Sequence, residues 1–442
     1  MKVYLRSITI ILLLTFVWSS NVWAKGLSKS QLGFDVAMDR STLPADKKET
    51  AYLRVALKGF EMESDKDRPP VNIAIVIDKS GSMSGEKIEK AKDAAIMAIS
   101  RLNPKDIISV ITYDTTINIL VPATKVSDKE LIYEAIQKIN AGGNTALFAG
   151  VSKGAAEMRK FISNDYVNRL VLLSDGLANV GPSTPTELGD LGASLVKEGI
   201  SVTTIGLGLG YNEDLMTKLA FKSDGSTYFA EKASDLAKTF DSEFGRALSI
   251  VAQEVKTTIR CDEGIRPVRI LGREGTIYGN NVSVFINHIY SEKEKVIVLE
   301  VEVPPTSEGT SRKIAEVYVN YNNMKTNARD ELSSTVAAHF SSSNKLIEKG
   351  TNANVMVNVV NLIAVEKNVL AMRLRDEGKV AEAKKVLTDN SMYLNDNASR
   401  YNSEKLRQYG TQQQIDASNL DEANWNKNRK NMQQTQNWEV YQ

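Results

Sequence analysis

Cysteine and histidine are nearly absent from this chain of 442 residues, which holds one Cys (Cys261) and two His (His288 and His339). A single Cys excludes an internal disulfide framework and a Cys-cluster zinc site. Two His far apart in sequence argue against a His-rich metal site. A bound metal would therefore take oxygen ligands, which points to Mg²⁺, Mn²⁺ or Ca²⁺ rather than zinc or copper. An excess of one charge is missing too, with 55 Lys and Arg against 54 Asp and Glu. Such a balance lacks the basic face that nucleic acid binding requires. Beyond residue 24 no run approaches the ~18 apolar residues of a membrane span. The composition, 42% hydrophobic and 25% charged, is that of a globular protein. The length admits about two to three domains.

What is present starts at the N-terminus. Residues 1–24 join a short basic region (Lys2, Arg6) to an apolar stretch, Ile8 to Trp18, and then to Val22-Trp23-Ala24. Small residues at both key positions of a cleavage site, after an apolar run too short to span a bilayer, predict a secretory signal peptide. Its removal leaves 53 of the 55 basic residues against 54 acidic ones. The expected location is the periplasm, the cell surface or the exterior, without a transmembrane segment in the mature chain.

Two alternating stretches, Leu32–Met38 and Thr50–Lys58, predict strands within 25–67, and the charged run Glu61–Arg68 before Pro69-Pro70 predicts a linker. From Val71 strands alternate with helices. Val71–Ile77 is a continuous apolar run suited to a strand buried on both faces. The alternation through residue 248 predicts a doubly wound, mostly parallel α/β sheet covered by helices. Residues 249–328 return to period-2 strands. Five strands here and two before the α/β unit predict a seven-stranded sandwich, because two lone strands cannot bury a core. The α/β unit is then an insertion in a discontinuous β-sandwich. Residues 329–410 are expected to be a helical region, with a hairpin broken at Gly378. The Gln- and Asn-rich tail, 411–442, is expected to be partly disordered.

The first α/β strand ends in Asp78-Lys79-Ser80-Gly81-Ser82-Met83. Ligands bind at the carboxyl ends of strands in a parallel sheet. A loop there with one carboxylate and two hydroxyls suits a hard cation. Gly142-Gly143-Asn144-Thr145 precedes a helix and brings a third hydroxyl to the same edge. Leu172-Leu173-Ser174-Asp175-Gly176 ends a later strand and brings a second carboxylate. Asp78, Ser80, Ser82, Thr145 and Asp175 thus offer five oxygen donors. They leave about one octahedral position open, a geometry suited to Mg²⁺, with Mn²⁺ or Ca²⁺ as alternatives.

The D-x-S-G-S loop, the distant Thr and the distant Asp-Gly resemble the metal-ion-dependent adhesion site of von Willebrand factor type A domains, over roughly residues 71–248. The flanks resemble, more loosely, exported bacterial proteins compared with inter-α-trypsin inhibitor heavy chains. The resemblance implies that Ser80, Ser82 and Thr145 bind the metal directly, and that Asp78 and Asp175 act through waters or as a switched outer shell. It also implies a protein ligand that fills the open position with a carboxylate.

Other signals are weaker. Gly206–Gly210 lacks the G-x-G-x-x-G spacing and reads as a strand-to-helix loop beside the metal site. Asp114 is either an outer carboxylate of that site or a turn former. Cys261 reads as a small buried residue, His288 and His339 as surface or packing residues, and Lys87, Lys90 and Lys92 as the wet face of a helix. The sequence contains no P-loop, and its one G-x-S-x-G match, Gly150–Gly154, falls inside the segment 146–161 that reads as a helix rather than at a strand-to-helix turn, so it is not a nucleophile elbow. The expectation is a non-enzymatic, metal-dependent protein-binding module of the cell envelope. The alternatives are an envelope or secretion scaffold acting through the C-terminal helices, and a Mg²⁺-dependent hydrolase that would need a general base not visible here.

Overall fold

Strand Glu49–Lys58 pairs on one side with Gly33–Met38 and on the other with Glu294–Val303, so the N-terminal strands find their partners beyond the whole α/β unit. The computed structural model describes residues 31–62, 68–163 and 165–441. The expected signal peptide and residues 63–67 of the expected linker lie outside them. With Arg266–Leu271 these strands form a four-stranded sheet. It faces a six-stranded sheet in the order Thr276–Tyr278, Asn281–Tyr290, Ile250–Cys261, Ser311–Asn323, Ala328–Ser341, Thr42–Pro44. The alternating side chains Leu53, Val55 and Leu57 meet Ile259, Val284 and Val317 in one core between the sheets. The insertion begins and ends at one place. Gly59 bridges Ser291, and Ser291 donates from its backbone to the Ser249 carbonyl at 2.7 Å. Only glycine fits at 59, since a Cβ there would lie 2.0 Å from the Tyr290 carbonyl oxygen.

The inserted sheet has the order Ile117–Lys125, Ile107–Tyr113, Val71–Asp78, Val167–Ser174, Ile200–Leu207, Thr227–Ala230. Every pairing is parallel except that of the edge strand Ile117–Lys125. Val71–Asp78, Val167–Ser174 and Ile200–Leu207 are buried at every residue, which is why their sequences are mostly apolar with no polar face, and the polar residues they carry short of their last position (Asn72, Asn168, Arg169, Ser201, Thr203, Thr204) are interior. Strand order reverses at Val71–Asp78, so the crevice for a ligand opens at the carboxyl ends of that strand and its neighbours.

Two expectations are corrected at the C-terminal end. Residues 329–341, expected to be helical, belong to the strand Ala328–Ser341, and among the described residues the sandwich has ten strands rather than seven. Val336, Ala338 and Phe340 alternate into the core, but in Arg329–Ser334 Leu332 is the one apolar residue of the half-buried face, too few to read as a period. The tail is helical rather than partly disordered, with helices Glu404–Ser418 and Glu422–Tyr441 packed against Ala353–Asp376 and Val380–Arg400. Several of its amide side chains, Gln413, Asn428, Gln433 and Asn437, are interior. Gln413 accepts from Asn368 at 3.0 Å and from Asn390 at 2.9 Å, and Gln436 donates to Asn368 at 2.6 Å. Among the described residues, Ala353–Asp376 is also the one helix with the length and apolar content of a membrane span. Its apolar residues pack on the sandwich through Val355 and Val359 and on the other helices through Val360 and Ala371.

A buried polar cluster joins the inserted unit to the sandwich. Arg169 lies 3.5 Å from Glu243 and donates to the Tyr290 hydroxyl at 3.1 Å. His288, fully buried, contacts Ser201 at 3.2 Å. Burial pushes the Tyr290 phenol up and Glu243 adds to that, but Arg169, Arg246 and Lys295 outweigh both and bring it from 10.0 to about 8. Between these values the folded chain holds fewer protons than the unfolded one, so this group adds stability as pH rises from about 8 to 10. Tyrosinate absorbance should show one residue titrating near pH 8, and Tyr290→Phe should remove that step. An unchanged titration in Tyr290→Phe would refute the assignment.

Candidate metal centre

Five oxygen-bearing side chains arrive at the carboxyl edge of the inserted sheet on three loops. Asp78 is the last residue of its strand and is fully buried. One of its oxygens accepts the Ser80 backbone N–H at 2.8 Å, which folds the loop back, and the other accepts the Ser174 hydroxyl at 2.7 Å. Ser80 and Ser82 follow on a short 3₁₀ turn, with hydroxyl oxygens 3.1 Å apart. Ser82 donates to Asp175 at 2.7 Å. The second loop is pinned to the first by Gly81 N–H to Gly143 O at 3.0 Å and Gly142 N–H to Lys79 O at 2.7 Å. Gly143 is needed there. Its φ is +82°, and a Cβ would come within 3.0 Å of Asp114 and Thr115. This pinning delivers Thr145, whose backbone N–H is held by the Asn179 side chain at 2.8 Å. A Cβ on Gly176 would sit 3.4 Å from both the Ser82 and the Thr145 hydroxyl oxygens, so the bare glycine keeps the space between them open.

All five predicted site residues therefore come together. Among the described residues no three His, Cys, Asp or Glu side chains gather to hold an ion. A cation at this edge must rely on hydroxyl oxygens, and the Ser and Thr donors supply them. The site fits a hard, oxygen-seeking divalent ion. Burial pushes the Asp78 carboxyl up against the hydrogen bonds of Ser174 and Ser80, and the charge of Asp175 adds to the rise. A positive charge between the two carboxylates would relieve that repulsion.

Two participants, Lys87 and Ser174, were not foreseen, and Lys92 departs from the expected wet face. Lys87 is half-exposed, and its ammonium reaches from that face to pair with Asp175. Lys92 is buried and pairs with Glu89 at 2.9 Å. Ser174 tethers Asp78, and only its place before Asp175 at the end of a strand could have marked it. Asp114 pairs with Lys79 and accepts from Thr116 at 2.7 Å, so it forms a turn and braces the loop. The Gly206–Gly210 loop does border the site, where a Cβ on Gly210 would lie 3.0 Å from the Asp175 carbonyl. Cys261 is buried in the sandwich, and burial pushes its thiol up to about 11.

Residues 72–242 match the von Willebrand factor type A domain family. The chain carries a von Willebrand factor type A domain. An uncharacterized protein of Synechocystis sp. is 33% identical over 199 residues, which are 45% of this chain and 46% of that protein. Inter alpha-trypsin inhibitor heavy chain 4 of Mus musculus is 28% identical over 38% of this chain and 18% of its own length. The chain thus spans less than half the length of these curated relatives. A solved von Willebrand factor type A structure from Catenulispora acidiphila superposes with a TM-score of 0.68 at 15% identity, covering 86% of this chain and 91% of that one. That likeness extends past the type A domain into the sandwich and helices, and it concerns the fold alone.

Proposed function

We propose that the type A domain is a metal-dependent protein-binding module of the cell envelope. It would hold Mg²⁺, or Mn²⁺ or Ca²⁺, through Ser80, Ser82 and Thr145, with Asp78 and Asp175 behind them. The bound ion would supply a positive charge for a carboxylate of the partner protein. The observation that carries this reading is the convergence of two carboxylates and three hydroxyls around the space left by Gly176. The chain's own residues orient the donors. Ser174 and the Ser80 N–H fix Asp78, and the Gly81–Gly143 and Gly142–Lys79 bonds hold the two loops in register. Export is part of the proposal and rests on the pattern of residues 1–24. Binding is favoured over hydrolysis because His288 sits against Ser201, at the opposite end of the sheet, where it cannot serve as a base at this edge. The test is capture of envelope proteins by the full chain with and without chelator. Partners held only when divalent metal is present support the reading. Capture indifferent to chelator points instead to the C-terminal helices as the contact.

Lys87 gives the site a second tunable feature. Its ammonium and the metal both seek Asp175, so Lys87 should weaken the metal while leaving the loaded site more positive toward a carboxylate. Lys87→Gln is expected to tighten Mg²⁺ about fivefold, the scale of a partly exposed ion pair, and to weaken partner capture. Calorimetric Mg²⁺ titration measures the first effect, and unchanged or weaker Mg²⁺ binding would reject the competition.

A further inference from the structure

Two exposed leucines stand on the rim of the metal edge. Leu177 follows Gly176 and is 60% exposed, and Leu209 precedes Gly210 and is 46% exposed. Their loops touch, since Gly210 packs against the Asp175 carbonyl, and Gly176 borders the Ser82 and Thr145 hydroxyls. One leucine in water is ordinary, but two on touching loops beside one site form a patch.

Neither leucine is exposed because its loop is loose. The Leu177 turn is tied at both ends, by Gly176 N–H to the Ser174 hydroxyl at 3.4 Å and by Asn179 N–H to the Thr145 carbonyl at 3.1 Å. The Leu209 loop is tied by Gly208 N–H to the Ala230 carbonyl at 2.8 Å, and the Asn426 side chain donates to the Leu209 carbonyl at 3.3 Å. Nearby residues on each loop turn inward. Ala178 packs on the core beneath, and Leu207 and Tyr211 are buried. The backbone therefore holds both leucines in water while their neighbours fill the core. Covering apolar surface on loops that are already fixed avoids the cost of ordering them. Apolar contacts around a charged one also exclude water from it, and the charged contact strengthens in the lower dielectric. A partner of acidic and polar residues alone would satisfy the ion and leave both leucines wet.

We propose that this edge recognises a short segment in which an acidic residue is flanked by aliphatic ones, the carboxylate meeting the ion and the aliphatic side chains covering Leu177 and Leu209. The proposal rests on the metal-bridged reading above and adds the partner's selectivity to it. The probe is the pentapeptide Ser-Leu-Glu-Leu-Ser, acetylated and amidated, followed by saturation-transfer NMR on the full chain with Mg²⁺. It should bind about tenfold more tightly than Ser-Ser-Glu-Ser-Ser, the scale of covering part of a leucine on each side. Leu177→Ser with Leu209→Ser should erase that difference and leave calorimetric Mg²⁺ binding unchanged. Leu131, 64% exposed, stands on the helix Lys129–Gln137, which starts near the opposite end of the sheet, so Leu131→Ser should keep the difference. Ser-Leu-Gln-Leu-Ser and chelator separate the two readings. A glutamine peptide that binds as well as the glutamate one, or binding indifferent to chelator, would overturn the metal bridge and this proposal with it. Equal binding of the two glutamate peptides, no binding of either, or a difference that survives in the double leucine variant would overturn the aliphatic preference alone.

Discussion

Asp78→Ala is expected to abolish Mg²⁺ binding and, with it, partner capture, while the chain stays folded. The buried carboxylate does two things at this edge: it brings negative charge and it shapes the loop through the Ser80 N–H. Alanine removes both. It also orphans the Ser174 hydroxyl and the Ser80 N–H, at a cost of about 1–3 kcal/mol. A domain stable by ~5–15 kcal/mol survives that loss but melts lower, so reduced partner capture alone would be ambiguous. Ser82→Ala resolves it. Ser82 is exposed, and its hydroxyl touches only Ser80 and Asp175 among the described contacts. Removing it should shift stability within about 0.5 kcal/mol while deleting one metal donor. Ser84→Ala is the control, since that exposed hydroxyl donates to the Gly81 carbonyl at 2.8 Å and faces no other site residue. The measurement is the rise in Tm on adding Mg²⁺, which reports binding to the native state alone. Wild type and Ser84→Ala should show the rise. Asp78→Ala should show none, and Ser82→Ala a much smaller one. A full Mg²⁺-dependent rise in Asp78→Ala would sink the assignment of the metal site.

The site was legible because its logic is local. A strand buried on both faces must run apolar, its end must turn, and the residues at that turn face the ligand edge. Asp78, Ser80 and Ser82 were read from one such turn, and Thr145 and Asp175 from two more. The insertion was legible because strands Gly33–Met38 and Glu49–Lys58 needed partners and the strands after 249 could supply them. What could not be read depends on partners far away in sequence. Ala328–Ser341 looked unlike a strand because the inward positions of its first half are only half-buried and hold Asp330 and Ser334 beside Leu332, with Asp330 accepting from Tyr321 and Asn323 on the neighbouring strand. The tail looked disordered because Gln and Asn usually signal solvation, whereas here they bond to one another inside a helical bundle. Arg169 stands in a strand that otherwise reads as apolar core. Its partners, Glu243 and Tyr290, come from a helix and from the sandwich, and no spacing rule links the three.

Glu243→Ala should therefore be among the most damaging single changes in the molecule, although it lies far from the metal edge. Arg169 is fully buried and stays cationic, and Glu243 holds its charge at 3.5 Å while accepting from Thr203 at 2.6 Å and from Tyr228 at 3.2 Å. Removing one member of a buried ion pair leaves the other uncompensated, a loss of about 3–5 kcal/mol. Removing both, as Arg169→Met with Glu243→Leu, should recover most of it, because neither charge then has to be desolvated. Urea unfolding measures both effects, and a double variant no more stable than Glu243→Ala would refute the account. The same cluster supplies a sharper discriminant. Burial is the larger opponent of Tyr290 ionisation and the Glu243 charge the smaller, so without Glu243 the phenol should fall further below about 8. Tyrosinate formation would then place a negative charge on the hydroxyl that already accepts from Arg169 at 3.1 Å. The deficit of Glu243→Ala should shrink as pH rises through that range, and Glu243→Ala combined with Tyr290→Phe should show no such recovery. A deficit independent of pH in Glu243→Ala would mean that Tyr290 does not act as the reserve counter-ion.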